Sequence, residues 1–421
     1  MKNLIIKFKT YATREAFLKI PSIPPAIFFV LLIFVARLFV IIQIYKVHSW
    51  RFGHLIADSQ IISLETKEWN KIHKKKKFII FYFSSDESSN DYFVQKLKEN
   101  HFHIQKRLGF TIFYFCNYFK FLVTTTDENS TDPNGLMIKN PPQIKFNSKD
   151  MDIGTKFLKK YGLEPESKYV CLHVRDAAFL GEENDGSKYL KHSTRNSSIE
   201  NYKVAAETLA DLGYSVFRMG SAVKETLDSS HPKVFDYATN GMRTEFLDIF
   251  LGAHCTFAVV TNSGWSHVPR IFGRPIIFVN SVPFFQPNLA TTKALFYPKR
   301  IVDTSNHQPL SLNSLVSRGV ILQSNKFELE SRGVILEDLS TQDLVDAVIE
   351  MVQRVEMRFQ QSEKSKIFYE SLIRELKNDP NTRFTQSKFP IQAEYASSFL
   401  DKNPNLIEAK YFRIDQPKKP G

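Results

Sequence analysis

The sequence predicts an α/β chain of two lobes, each built on parallel strands. Three observations carry this. Short apolar runs rich in β-branched and aromatic residues have strand length: VIIQIY (40–45), FIIFYF (78–83), YVCLHV (169–174), YSVFRM (214–219), CTFAVVT (255–261) and IIFVN (276–280). Helical patterns separate them, among them an amphipathic segment at 199–212 that ends at Gly213, and EFLDIFLGA at 245–253. Strands that alternate with helices imply crossover connections and hence a parallel, doubly wound sheet. A turn-rich stretch at 124–150 divides the first group of elements from the second.

Taken in order, the chain opens on a basic, apolar N-terminus. Lys2, Lys7, Lys9, Arg14 and Lys19 precede the run PAIFFVLLIFVARLFVIIQIY at 25–45. A bilayer needs about 20 apolar residues, and this run reaches that length only across Arg37. No small-residue cleavage site follows, so it is not a secretory signal. If 40–46 is the first strand, the residues left before it form a hydrophobic helix too short to span comfortably. With the run Lys74–Lys77 following, the expectation is a peripheral or monotopic protein on an anionic membrane surface, at the cytoplasmic face of the inner (plasma) membrane; a single span is the competitor.

The first lobe is expected at 40–150, with FTIFYF (110–115) continuing the strand style, and the second at 151–350. Within the second, 151–161 reads as a helix and 233–238 as a weaker strand. RGVIL occurs at 318–322 and again at 332–336, which is too little for a solenoid. Ser340 and Asp343 mark the capped start of a helix; a helical tail is expected at 351–421, its polar part 377–421 able to wrap back over the first lobe.

Composition bounds the function. At 421 residues with 43% hydrophobic and 24% charged residues, a large core is available and bulk disorder is excluded. A net charge of +12 favours an anionic partner. Zinc spacings, RNP-type aromatic motifs and heptads are all lacking, so nucleic acid is not the expected one. Cys116, Cys171 and Cys255 are odd in number and far apart, which fits a reducing compartment without a disulfide framework.

The residues able to carry chemistry cluster after the strand runs. In CTFAVVTNSGWSH a strand ends at Thr261 and the chain turns through Asn262, Ser263 and Gly264 toward a helix beginning near Trp265. Ligands of open α/β sheets bind at the carboxyl ends of strands, and a helix N-terminus there suits a diphosphate. The same pattern also describes an ordinary strand–turn–helix connection capped by serine. His173, Arg175 and Asp176 end the strand at 169–174, where a guanidinium fork could hold phosphate or pair structurally with a carboxylate. His192, Arg195 and Asn196 form a cationic loop able to close over a ligand, and Gly220 ends the strand at 214–219. Glu245 and Asp248 share a helix face and could hold sugar hydroxyls, or serve as surface charges. In the first lobe, His54 follows the first strand and suits general-base work, with Asp58 as the alternative base.

Taken together, RFGHL, CLHVRD, HSTRNSSIENY, GYSVFRMG, RTEFLDIFLGAHC and TNSGWSHVPRIFGRPIIFVN resemble a family of predicted bacterial glycosyltransferases of surface-polysaccharide synthesis. The resemblance covers about residues 40–350 and includes motif order. More remotely, HVRD is similar to the His-x-Arg motif of O-fucosyltransferase-type enzymes, and the TNSG loop is placed like the donor loop of heptosyltransferases. The resemblance implies a GT-B fold of two Rossmann-like lobes, with a nucleotide-diphosphate sugar as donor substrate, a saccharide or lipid-linked acceptor, and neither a metal nor another cofactor. It carries Arg175 and the Ser263–Gly264 loop over as donor-phosphate contacts, but carries over no catalytic base. A nucleotide-sugar-binding sensor or assembly protein and a nucleotide-sugar epimerase are the competing functions.

Overall fold

The computed structural model describes the chain from Ile23 to Leu406, apart from residues 84, 86, 105–107, 114–131, 133, 165, 181–192, 290, 358–361 and 379–391. It divides into two compact units, one of residues 1–130 and 142–145 and one of residues 131–141 and 146–421.

In the first unit, β1 (Ile41–Val47), β2 (Lys77–Phe83) and β3 (Phe102–Ile104) form a parallel sheet. Alternation along β1 and β2 gives the sheet two apolar faces. Helix α1 (Ile23–Ala36) covers the face bearing Ile44, Tyr82 and Ile104, through Ala26, Val30 and Ile33. Tyr45 and Phe81 lie on the opposite face, edge to face at 5.7 Å. Phe81 packs against His101, whose imidazole is bonded to Ser63 of helix α2 (Phe52–Ile72). Burial lowers the His101 pKa, so the ring sits there neutral. Helix α3 (Asp91–Asn100) is capped by the Asn90 side chain.

The expected strand at 110–115 is corrected: residues 108–113 are helical. Ile112 and Phe113 are buried in the α1 core, and Gly109 lies so close to the Tyr82 ring that a Cβ there would stand 2.3 Å from it. An apolar run this short has no periodicity that separates strand from helix, and packing against Tyr82 decides it.

The second unit holds a seven-stranded sheet in the order β6-β5-β4-β7-β8-β9-β12, parallel at every pairing. The strands are β4 (Tyr169–His173), β5 (Ser215–Met219), β6 (Val234–Phe235), β7 (Phe257–Val260), β8 (Ile276–Ser281), β9 (Ala294–Pro298) and β12 (Glu394–Tyr395). Strands buried on both faces explain the unbroken apolar runs of β4, β7 and β8. Helix α4 (Ser148–Lys160) precedes β4, and the crossovers include α5 (Lys203–Asp211), α6 (Glu245–His254) and α7 (His267–Ile271). Helix α8 (Thr341–Glu356) starts with the expected reciprocal cap between Ser340 and Asp343.

The RGVIL repeat has a structural meaning. Gly319 and Gly333 each follow a short helix with positive φ, 64° and 67°, the left-handed conformation that ends helices. Arg332 Nη1 then donates to the carbonyls of Arg318 and Gly319, locking the two helix ends together. The second copy continues into β11 (Val334–Glu337), antiparallel to β10 (Arg300–Asp303). The described residues of the tail build onto the second sheet. Helices α9 (Glu363–Asn378) and α10 (Ser397–Lys402) flank β12, which adds to the edge of the second sheet. Tyr395 anchors it, fully buried and donating to the Phe284 carbonyl.

Candidate functional site

The strand order places the site. From β4 the chain moves outward to β5 and β6, then returns to the other side of β4 as β7 and proceeds through β8 to β9. The strand order therefore reverses between β4 and β7, the position at whose carboxyl edge open α/β sheets place their ligands. His173 ends β4 opposite Val260 of β7 and Met219 of β5, so the loops after all three strands begin at one level.

Arg175 is held there by its backbone. Its N–H donates to Thr261 Oγ1 at 2.8 Å, and its carbonyl accepts from Ser197 N–H at 3.0 Å. The residue is 8% exposed. His173 Nδ1 lies 3.1 Å from Ser263 Oγ, and its ring stacks parallel to Trp265 with centroids 5.5 Å apart. Burial, helped by the Arg218 and Arg175 guanidiniums, lowers the His173 pKa to about 4. The imidazole is thus neutral near pH 7, and the positive charge at this edge belongs to the arginines.

Ser263 and Gly264 lead into a 3-10 turn, Gly264–Ser266, followed by α7. The turn is closed by Ser266 Oγ donating to the Ser263 carbonyl at 2.7 Å. Gly220 follows β5, and a Cβ there would stand 2.6 Å from Val223.

Other expected contacts have their polar atoms engaged in holding loops. Asp176 accepts from the Ala178 and Lys224 N–H groups, tying the β4 loop to the β5 loop. Asn262 donates to Gln286 Oε1 at 2.6 Å and accepts from Val282 N–H at 2.8 Å, joining the β7 and β8 loops. Asp248 is buried beneath Trp265: its backbone carbonyl accepts from Trp265 Nε1, and its carboxylate meets Arg243 at 2.8 Å and the Tyr237 hydroxyl at 3.0 Å. Burial raises the Asp248 pKa to about 6 against the pull of Arg243. Glu245, at the first position of α6, is a turn away.

Arg195 ends a short 3-10 turn, and Asn196 follows it. The Asn196 carbonyl accepts from Lys299 Nζ at 2.9 Å. His192 lies outside the described residues. Beneath this loop is a polar network that sequence reasoning missed. Lys299 pairs with Asp338 at 2.5 Å, Ser197 donates to Asp338, and Asn280 donates to Ser197 and Tyr202 while accepting from Leu339 N–H. The available signals were a polar Asn280 closing an apolar strand and Thr261 at the end of β7.

In the first unit, His54 and Asp58 are one turn apart on α2, with Nδ1 to Oδ2 at 2.9 Å. The Asp58 side chain is 3% exposed and that of His54 20%, so a buried carboxylate orients a partly exposed imidazole. The His48 ring lies edge-on to His54 at 6.2 Å. Among the described residues, no group of three His, Cys, Asp or Glu side chains converges as a metal site. Cys171 and Cys255 are buried thiols, while Cys116 lies outside the described residues.

No family model matches the chain, and no curated protein matches it. Among solved structures, it is similar to the ADP-heptose lipopolysaccharide heptosyltransferase II of E. coli, at 12% identity and TM-score 0.44 over 75% of this chain and 99% of that one. It is also similar to a family 9 glycosyl transferase from Veillonella parvula, at 13% identity and TM-score 0.44 over 74% and 97%. A third similarity is to E. coli heptosyltransferase WaaC with ADP, at 12% identity and TM-score 0.28 over 56% of this chain and 86% of that one.

Proposed function

We propose that the protein is a glycosyltransferase that moves a sugar from a nucleotide diphosphate to a hydroxyl of a saccharide or lipid-linked acceptor in surface-polysaccharide synthesis. The carrying observation is the reversal of strand order between β4 and β7, where Arg175 is fixed beside the Thr261–Ser263 loop. A diphosphate seated there meets a guanidinium, the Ser263 hydroxyl and backbone N–H groups at Gly264. Because His173 is neutral, Arg175 is the group that meets the growing negative charge.

In the transfer, the acceptor oxygen loses its proton to His54 Nε2, the nitrogen left open when Nδ1–H donates to Asp58. That oxygen bonds to the anomeric carbon as the carbon–oxygen bond to the diphosphate breaks. The nucleoside diphosphate leaves with the electron pair. Charge neutralisation by Arg175 serves this reaction without a metal.

The test is a thermal-shift screen of the full chain with ADP, UDP, GDP and CDP and their sugars, followed by an assay for released nucleoside diphosphate with saccharide acceptors. The expected result is one preferred base and acceptor-dependent release. Saturable binding without turnover on any acceptor would leave a sensor, and conversion of the sugar without release of diphosphate would leave an epimerase.

A further inference from the structure

Helix α1 is apolar around its whole circumference, IPPAIFFVLLIFVA, yet the fold buries only one stripe of it. Ala26, Val30 and Ile33, spaced by four and three residues, are 2–6% exposed against the sheet of the first unit. The opposite stripe faces outward. Phe28, Leu31, Leu32 and Val35 are 50–64% exposed, and Leu38 and Phe39, just past the helix, are each 75% exposed. Soluble surface helices place polar residues on that side. Two further aromatic side chains extend the surface. Phe78 and Phe102, 48% and 75% exposed, lie on the sheet face that α1 covers, as their alternation with Tyr82 and Ile104 requires.

Charge identifies the partner. Lys75 Nζ donates to the Arg37 carbonyl, which sets the loop of exposed Lys74, Lys75 and Lys76 at the C-terminal end of α1, beside Leu38 and Phe39. From Ile23 to Ala57 the sequence has no Asp or Glu. An apolar stripe ending in a lysine cluster matches a bilayer with acidic headgroups: acyl chains receive the stripe and phosphates receive the ammonium groups. The described helix is too short to span, because 14 residues give about 21 Å at ~1.5 Å per residue against a hydrocarbon core of ~30 Å. Among the described residues, no helix is long and apolar enough to cross a membrane. The buried stripe also keeps α1 fixed to its own sheet.

We infer that the outward stripe of α1 docks the protein on an anionic lipid surface, with α1 lying in the plane of the interface. This inference is independent of the sugar-transfer reading and is tested without it. The full chain is floated with vesicles of phosphatidylcholine alone or mixed with phosphatidylglycerol. Binding is expected to the mixed vesicles, weakened by salt and by about fivefold for each of Lys74 and Lys75 changed to Ala. Leu31→Glu with Leu32→Glu removes binding altogether. Both side chains point away from the packed stripe, so circular dichroism and thermal unfolding are expected to stay unchanged. Three results would overturn the inference: equal flotation of the double variant, resistance of the bound protein to alkaline extraction as for a spanning segment, or self-association that the double variant abolishes while vesicles bind neither protein.

Discussion

Asp248→Asn tests whether the site's platform is built as described. Asp248 supports Trp265 through its carbonyl, and Trp265 stacks on His173. Its carboxyl pKa is raised in the fold from the ordinary 3.8 to about 6, first by burial. The folded protein therefore holds a proton between these values that the unfolded chain has lost. Stability is full below the unfolded value and falls as pH rises through the folded one, by about 1.4 kcal/mol per pH unit and about 3 kcal/mol in all. Asparagine keeps the acceptor for Tyr237 and removes the titration. Arg243, at 29% side-chain exposure, can turn to water. Urea unfolding of both proteins at about pH 4 and about pH 7.5 is the assay. Wild type loses roughly 2–3 kcal/mol relative to the variant across that interval. The same stability difference at both pH values would show that Asp248 titrates alike in the two states, and would refute the argument from burial.

Four further outcomes follow from the geometry. Arg175→Ala lowers kcat about 10²–10³-fold while circular dichroism stays native; unchanged turnover would remove Arg175 from the reaction. His54→Ala and Asp58→Asn each cut kcat by at least ~10²-fold, and the double variant is little worse than either alone, because the pair acts as one unit; multiplying losses would break the dyad. Thr261→Val leaves the buried Arg175 N–H without its acceptor, costing about 1–3 kcal/mol and reducing the thermal shift from nucleoside diphosphate; native stability and shift would make that bond incidental. Gly154→Ala forces a Cβ to within 2.1 Å of the Phe250 ring between α4 and α6, so urea unfolding shows a loss of about 1–3 kcal/mol, and an unchanged midpoint would contradict that packing.

Parts of this architecture are legible in the chain because one local cause decides them. β4, β7 and β8 are runs buried on both faces, and such runs read directly as strands of a parallel sheet. The cap at Ser340 and Asp343 is written in adjacent residues. The His54–Asp58 pair is also local, since a four-residue spacing on a helix brings the two side chains together. Where several folds satisfy the same residues, legibility ends. The apolar run at 110–115 serves a helix or a strand equally, and the Tyr82 ring decides between them. β12 contributes two residues, too few for any pattern, and its place follows from Tyr395 finding a pocket beside Phe284. The paired glycines of RGVIL become intelligible only when Arg332 is seen reaching back to Arg318.

Polar residues at the strand ends show the same limit more sharply. Asp176, Asn262 and Arg175 look alike in sequence, each being a polar residue placed just after a buried strand. What separates them is which loop lies opposite, a property of strand order. Asp176 faces the loop after β5, and its oxygens hold the Lys224 N–H there and the Ala178 N–H of its own loop. Asn262 faces the loop after β8 and ties it through Gln286 and Val282. Arg175 lies where the strand order reverses beside β4, pinned by its backbone to Thr261 and Ser197. Reversal of strand order next to β4 thus turns one of three similar residues into the group best placed for an anion. Asp176 and Asn262 make that placement durable by keeping the flanking loops at a constant distance. The grouping of residues at the β4–β7 edge is accordingly a property of topology, while the His54–Asp58 pair is one of helix periodicity.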